Sequence, residues 1–114
     1  MGTVDINSEN LIDSFIDDSW LEKGLSKNTL SAYRHDIISF SNWYKGSSLL
    51  DVSRGDLLDY LATRLKEGYS GRSTARSLSS LRAFYSHLTI KHNLVQNPTS
   101  KVDSPRLGQS LPKT

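Results

Sequence analysis

Residues 25–44 read LSKNTLSAYRHDIISFSNWY, and the fold turns on how this stretch is read. Leu30, Tyr33, Ile37, Phe40 and Tyr44 recur at i, i+3, i+7, i+10 and i+14, the spacing of one continuous apolar seam along an α-helix. Ser26 stands just before the seam, where its hydroxyl can accept from the free N–H groups of a first helical turn. Gly46 follows as a stop. The spacing therefore predicts a helix from about Lys27 to Lys45. Its outer side is unusual. On a helical wheel Ser31, His35, Ser39 and Asn42 lie opposite the seam, with Asn28 and Ala32 beside them. None is a Lys, Glu, Asp or Arg, which a solvated face normally accumulates. Short side chains let a backbone come close to another surface, and Ser, His and Asn bring donors and acceptors to it.

Three further segments carry the same signals. One runs from about Glu9 to Lys23, capped by Ser8, with Leu11, Ile12, Phe15, Ile16 and Ser19 as its inner stripe and Gly24 as its stop. Another runs from about Arg54 to Glu67, where Ser53 and Asp56 form an acidic variant of the capping box. Leu57, Leu58, Leu61 and Leu65 are its expected inner face, and Gly68 ends it. The last runs from about Gly71 to Lys91 behind Ser70, with Thr74, Leu78, Leu81, Tyr85 and Leu88 as its seam. Nothing alternates with a strand period. Four helices with short connections predict a compact all-α four-helix bundle. Beyond Asn93 the apolar rhythm stops, and residues 97–114 contain all three prolines. The expected organisation is a tail over 1–7, a helical domain over 8–95, and an extended linker over 96–114.

With 114 residues the chain is long enough for one domain with a real core. It has no cysteine, which rules out disulfides and thiolate metal ligands and fits a reducing compartment. No apolar run approaches the roughly 20 residues that span a bilayer, and no basic-then-apolar leader opens the chain. A cytoplasmic protein with no membrane partner is the expectation. Net charge is only +2, but it is unevenly spread. Residues 1–25 sum to −5 and residues 26–114 to +7, and from Gly68 through Val102 there are five bases and no acid. That asymmetry suits an anionic partner on one side of the domain, although an uneven solvated surface would look the same.

The fourth helix adds charge to the outer face seen on the second. Opposite Leu78 and Leu81 the wheel places Arg72, Arg76, Ser79, Ser80, Ala83 and His87. Arginines in the opening turns of a helix, backed by small residues, suit major-groove reading, where a guanidinium bonds guanine O6 and N7 together. Thr29 and Tyr33 border seam and outer face, where hydroxyls can bond phosphate; the bland alternative is cap support and core packing. Catalytic chemistry finds no footing. His35, His87 and His92 are not spaced to converge on a metal, no Gly-rich phosphate loop is present, and no tyrosine sits among acids and bases. No cofactor, metal or catalytic residue is expected. Trp20 and Trp43 are read as packing residues, and the carboxylates of the first helix as a solvated face.

Three ordered runs carry a resemblance: WLEKGLSKNTLSAYRHDIISFSNW, then RLKEGYSGRSTARSLSSLRAFYSHL, then NP followed by SPRLGQSLPK. Together they resemble the N-terminal core-binding domain of the tyrosine recombinases, the phage integrase family, and within it the Xer branch. The resemblance implies a four- or five-helix, SAM-like domain forming half of a clamp on a double-stranded DNA half-site, its second and fourth helices in the major groove. By motif position it places Lys27, Asn28, Thr29, Tyr33 and Arg34 at the DNA and points Ser31, Ala32 and His35 into the groove. Arg72, Ser73, Arg76 and Ser80 match groove or backbone positions. The family's cutting residues belong to a second domain, so the chain looks like a fragment that binds and does not cut. The full-length protein would join a sister recombinase protomer in a tetrameric synapse and answer to a DNA translocase through its other domain, resolving chromosome dimers. A phage or integron integrase is the milder alternative; a helical protein-interaction module is the rival from outside the family.

Overall fold

Three of the four helices begin where a side-chain hydroxyl takes up backbone donors of the first turn. The structure, a computed structural model, describes residues 8–102. It contains α1 (Ser8–Lys23), α2 (Lys27–Trp43), α3 (Arg54–Lys66) and α4 (Gly71–His92), with a single 3₁₀ turn at Leu49–Asp51 between α2 and α3. Ser26 accepts from the Thr29 amide at 3.2 Å, and Ser70 from the Ser73 amide at 3.0 Å. At α3 both halves of the capping box form: the Asp56 amide donates to Ser53 Oγ and the Ser53 amide to Asp56 Oδ2. The α1 and α3 stops are glycines at positive φ, 63° at Gly24 and 100° at Gly68, where a residue with a Cβ would be strained.

The second helix ends earlier than its seam suggests. Tyr44 leaves the helix into extended backbone and folds its ring over Phe40, centroids 5.9 Å apart. Gly46 serves this turn by having no side chain: a Cβ there would overlap the Tyr44 ring. Its value is close approach, not a left-handed cap.

The apolar stripes meet in one core built from Leu11, Ile12 and Phe15 of α1, Ile37 and Phe40 of α2, Leu57 and Leu61 of α3, and Leu78, Leu81, Phe84, Tyr85 and Leu88 of α4. The Tyr85 hydroxyl reaches out of it to the Leu49 carbonyl at 2.8 Å, and burial pushes its phenol far above the ordinary value. The inner face of α3 differs from the expected row of leucines. Leu58 and Leu65 are 39% and 43% exposed, while Tyr60 and Arg64 are buried. The helix is turned so that Tyr60 meets Phe40 edge-on at 5.0 Å and Arg64 faces α4. Trp43 packs against Phe40 and Tyr60 as expected; Trp20 is 49% exposed and does not.

The packed unit also runs past the expected boundary at residue 95. Pro98, Thr99 and Val102 are buried, Val102 joins the core, and two arginines pin the backbone there. Arg82 donates to the Val102 carbonyl, and Arg54 to that of Lys101. A stretch without a helical period packs all the same, because single apolar side chains and backbone acceptors suffice to dock it. The expected 1–7 tail, and the linker beyond residue 102, lie outside the described residues.

Candidate nucleic-acid interface

α2 meets α4 at a buried acid. Asp36 is the sole acid of α2, and its side chain is 2% exposed. Its carboxylate accepts from Arg76 Nε at 3.2 Å and Nη2 at 2.7 Å, and from Ser80 Oγ at 2.7 Å. A buried carboxylate is tolerated when it is paired and hydrogen-bonded, and these three donors occupy most of its lone pairs. The guanidinium does not sink with it: the Arg76 side chain is 55% exposed.

A second buried group supports the start of α4. Arg64 Nη2 donates to Ser73 Oγ at 2.7 Å and Nε to Thr74 Oγ1 at 3.3 Å, with the guanidinium carbon 4.1 Å from the centre of the Tyr69 ring. Burial raises the Tyr60 phenol above its ordinary value, and Arg64 opposes that rise. His35, Ser39, Ser73 and Arg76 line one open groove with Tyr60 and Arg64. His35, Ser73 and Arg76, placed at the DNA from sequence, are thus brought together.

The other expected positions fall elsewhere. Lys27, Asn28 and Ser31 are exposed at the start of α2, and Arg72 at the start of α4, and none of the four lines the groove. Ala32 is half-buried. Thr29 supports the cap, its hydroxyl accepting from Ser26 at 3.1 Å. Tyr33 stacks on Phe15, centroids 5.7 Å apart. Arg34 turns to the α1 flank and pairs with Asp13 at 2.8 Å. Both of these partners are well exposed, so the pair adds little stability.

Ser80 requires a correction. The wheel puts it outward, yet it is 1% exposed, because α4 is flanked on that side by α2 and its hydroxyl is spent on Asp36. His87 and Ala83 are likewise drawn inward: His87 Nε2 lies 2.8 Å from Asp18 Oδ2 on α1, and Ala83 packs on the core. Helix wheels consider one neighbour, and α4 has three.

Asp36 and Arg64 were not picked out from sequence. The available signal was slight: a lone acid four residues before Phe40, and an arginine that continues the Leu57–Leu61 row by three.

With the geometry in place, the chain can be set beside known proteins. Residues 12–92 match the family model described as phage integrase, N-terminal SAM-like domain. The chain belongs to this family. Proteins named tyrosine recombinase XerD are similar to this integrase-type domain along most of its length. That of Pseudomonas aeruginosa is 48% identical over 106 residues, covering 91% of this chain. That of Pseudomonas putida is 49% identical over 106 residues with the same coverage, and that of Proteus mirabilis 44% identical over 116 residues, 97% of the chain. The chain spans only 36%, 36% and 37% of those relatives, so it corresponds to the N-terminal third of a tyrosine recombinase. No solved structure matches it. Among the described residues no cluster of His, Asp and Glu could hold a metal, and no helix is long and apolar enough to cross a membrane.

Proposed function

We propose that this integrase-type domain grips one DNA half-site, setting the outward faces of α2 and α4 into the major groove. One observation carries the reading: two helices in contact present no exposed carboxylate. The only acid of α2 is buried under Arg76, and α4 contains none over its 22 residues. Exposed residues include Lys27, Asn28, Ser31 and His35 on α2 and Arg72 and Arg76 on α4, together with Ile38, Asn42, Ser79, Ser86, Ile90 and Lys91. Cations there meet phosphates, which position the protein; short polar side chains lie close enough to meet base edges, which specify the site. Ser73, tied to Arg64, and the cap hydroxyl of Thr29 are backbone-facing candidates. Ala32 contributes a small surface beside Tyr33, and Arg34 reaches DNA only by leaving Asp13. Ser80 leaves the contact set and becomes a support.

The domain by itself binds and does not cut. In the whole recombinase, strand exchange with a sister protomer in a tetrameric synapse, chromosome dimer resolution and control by a DNA translocase extend the same reading. Titrating the 114-residue chain against a fluorescent duplex at several salt concentrations tests the grip. Affinity is expected to fall steeply, with a log–log slope of about −0.9 for each phosphate neutralised. A flat response, or no binding at low salt, overturns it.

A further inference from the structure

The ion pair between α2 and α4 uses a particular edge of the guanidinium. Asp36 takes the Nε and Nη2 hydrogens, the side edge. A guanidinium has five N–H donors in a fixed plane. Two are held by Asp36, which leaves the end edge, one hydrogen on Nη1 and one on Nη2 lying parallel, on a side chain that is more than half exposed. Ser80 Oγ donates to Asp36 Oδ2 at 2.7 Å, so the carboxylate itself is fixed from a second direction. The plane of Arg76 is therefore set before any ligand arrives.

We infer that Asp36, held by Ser80, is a positioning residue that fixes Arg76 to read one guanine through its end edge, so that base preference at that position depends on a carboxylate that never touches DNA. This rests on the DNA-binding reading above and deepens it. The end edge would also fit a phosphate, and two observations favour the base. First, Arg76 and Asp36 sum to zero charge, so the pair adds little to the long-range pull of the backbone; what it keeps is a planar donor pair of fixed direction, which a guanine O6/N7 edge matches. Second, its groove neighbours on α2 and α4, His35, Ser39 and Ser73, are short or neutral enough to let a base edge approach, and Glu67 of the α3 end, which also lines the groove, disfavours a phosphate there. Arg72 is the contrast. It is exposed and makes no ion pair among the described residues, the condition of a phosphate contact.

The test is selection of bound duplexes from a pool with randomised half-site positions, using the 114-residue chain, Asp36→Asn and Arg76→Lys. The unaltered chain is expected to enrich guanine at one position. Asp36→Asn keeps the side chain's size and removes the charge that fixes the plane, and should lower that enrichment by about tenfold, the lower part of the range for one bidentate base contact. The enrichment elsewhere should stay as it was, and the salt slope should not become shallower, since Arg76 is then uncompensated. Arg76→Lys keeps the charge on Asp36 and loses the planar fork, so it should abolish the preference at the same position; a preference that persists there overturns the proposal even should the asparagine variant not fold. A guanine preference that survives either folded substitution overturns the positioning role, as does a uniform fall in affinity with the preference intact. A chain that selects no DNA at all overturns the DNA-binding reading along with it, and that outcome is distinct from selection with a profile indifferent to Asp36 and Arg76.

Discussion

α4 is fastened to two neighbours by carboxylates. Asp36 of α2 takes Arg76, and Asp18 of α1 takes His87, with Lys91 3.7 Å from both Asp18 and Glu22. In the α2 tie the acid is buried and the base half outside; in the α1 tie the acid is a quarter exposed and the base is buried at the 10% level. A guanidinium is charged at every accessible pH, whereas an imidazole carries charge only when protonated. The α2 tie also has a second donor, Ser80, on its carboxylate, while His87 Nδ1 is buried without a partner. The first tie is permanent and directional, and it faces the groove. The second is conditional, lies between α1 and α4, and holds the bundle together. Similar charge pairs on one helix thus serve direction in one case and attachment in the other, and burial of the acid makes the difference.

That asymmetry has a sharp consequence for stability. Removing Arg76 strands a buried carboxylate, whereas removing Asp36 frees an arginine that already reaches water. Arg76→Ala should cost about 3 kcal/mol, the low end for orphaning a buried charge because water reaches half the site. Asp36→Ala should cost less, about 2 kcal/mol, because it leaves no buried charge but strands the buried Ser80 hydroxyl. Urea denaturation of both variants measures the difference. Equal costs would mean that Asp36 is better solvated than its position between the helices indicates.

The outward face of α2 can be broken without touching either tie. Ser31 is exposed and one turn past the cap, so Ser31→Glu should leave stability within about 0.5 kcal/mol. In the groove-facing reading it places a carboxylate against phosphates and lengthens a short side chain, and half-site affinity should fall about tenfold or more. Arg72→Ala should act differently, lowering affinity across all sequences and reducing the salt slope by about one. An unchanged affinity for the Ser31 variant would move the interface off α2 and leave α4 to carry it alone.

These contrasts also mark how far the sequence could be read. Helix starts were legible because their chemistry is local: Ser26, Ser53 with Asp56, and Ser70 each satisfy donors three residues away. The α4 seam was legible because it is long and strictly periodic. The inner side of α3 was not, because a row of leucines outweighs a tyrosine and an arginine on any hydropathy reading. Only the position of Phe40 and of the Ser73–Thr74 turn decides that Tyr60 and Arg64 go inward. Asp36 was hidden for the same reason, since its partners lie 40 and 44 residues away. Arg76 looked like one of two equivalent arginines. Residues 98–102 looked like linker because docking by isolated side chains leaves no period. What the sequence withheld, in each case, was a contact between elements.

The conditional tie gives the smallest predicted effect and the one that turns on pH. The hydrogen bond from His87 holds the Asp18 carboxyl below its ordinary value of 3.8, helped by the charge of Lys91 and opposed by partial desolvation. A carboxyl lowered on folding contributes stability that is present in full above its unfolded value and is lost as the pH falls through its folded value. The attachment of α1 to α4 should therefore weaken in acid below about pH 4 and be indifferent to pH just above it, as far as Asp18 is concerned. Asp18→Asn should lower stability slightly at neutral pH and lose less than the unaltered chain between pH 4 and pH 2, so the two melting curves converge in acid. Lys91→Ala should change stability and its pH dependence less than Asp18→Asn does, because the 3.7 Å pair is looser than the His87 contact and its lysine is well exposed. Thermal melts followed by circular dichroism, from pH 7 down to pH 2, check this. If Asp18→Asn tracks the unaltered chain at a constant offset, the carboxylate is not what senses acid on that side of the bundle, and the contrast with the α2 tie reduces to its second donor and the direction in which its arginine points.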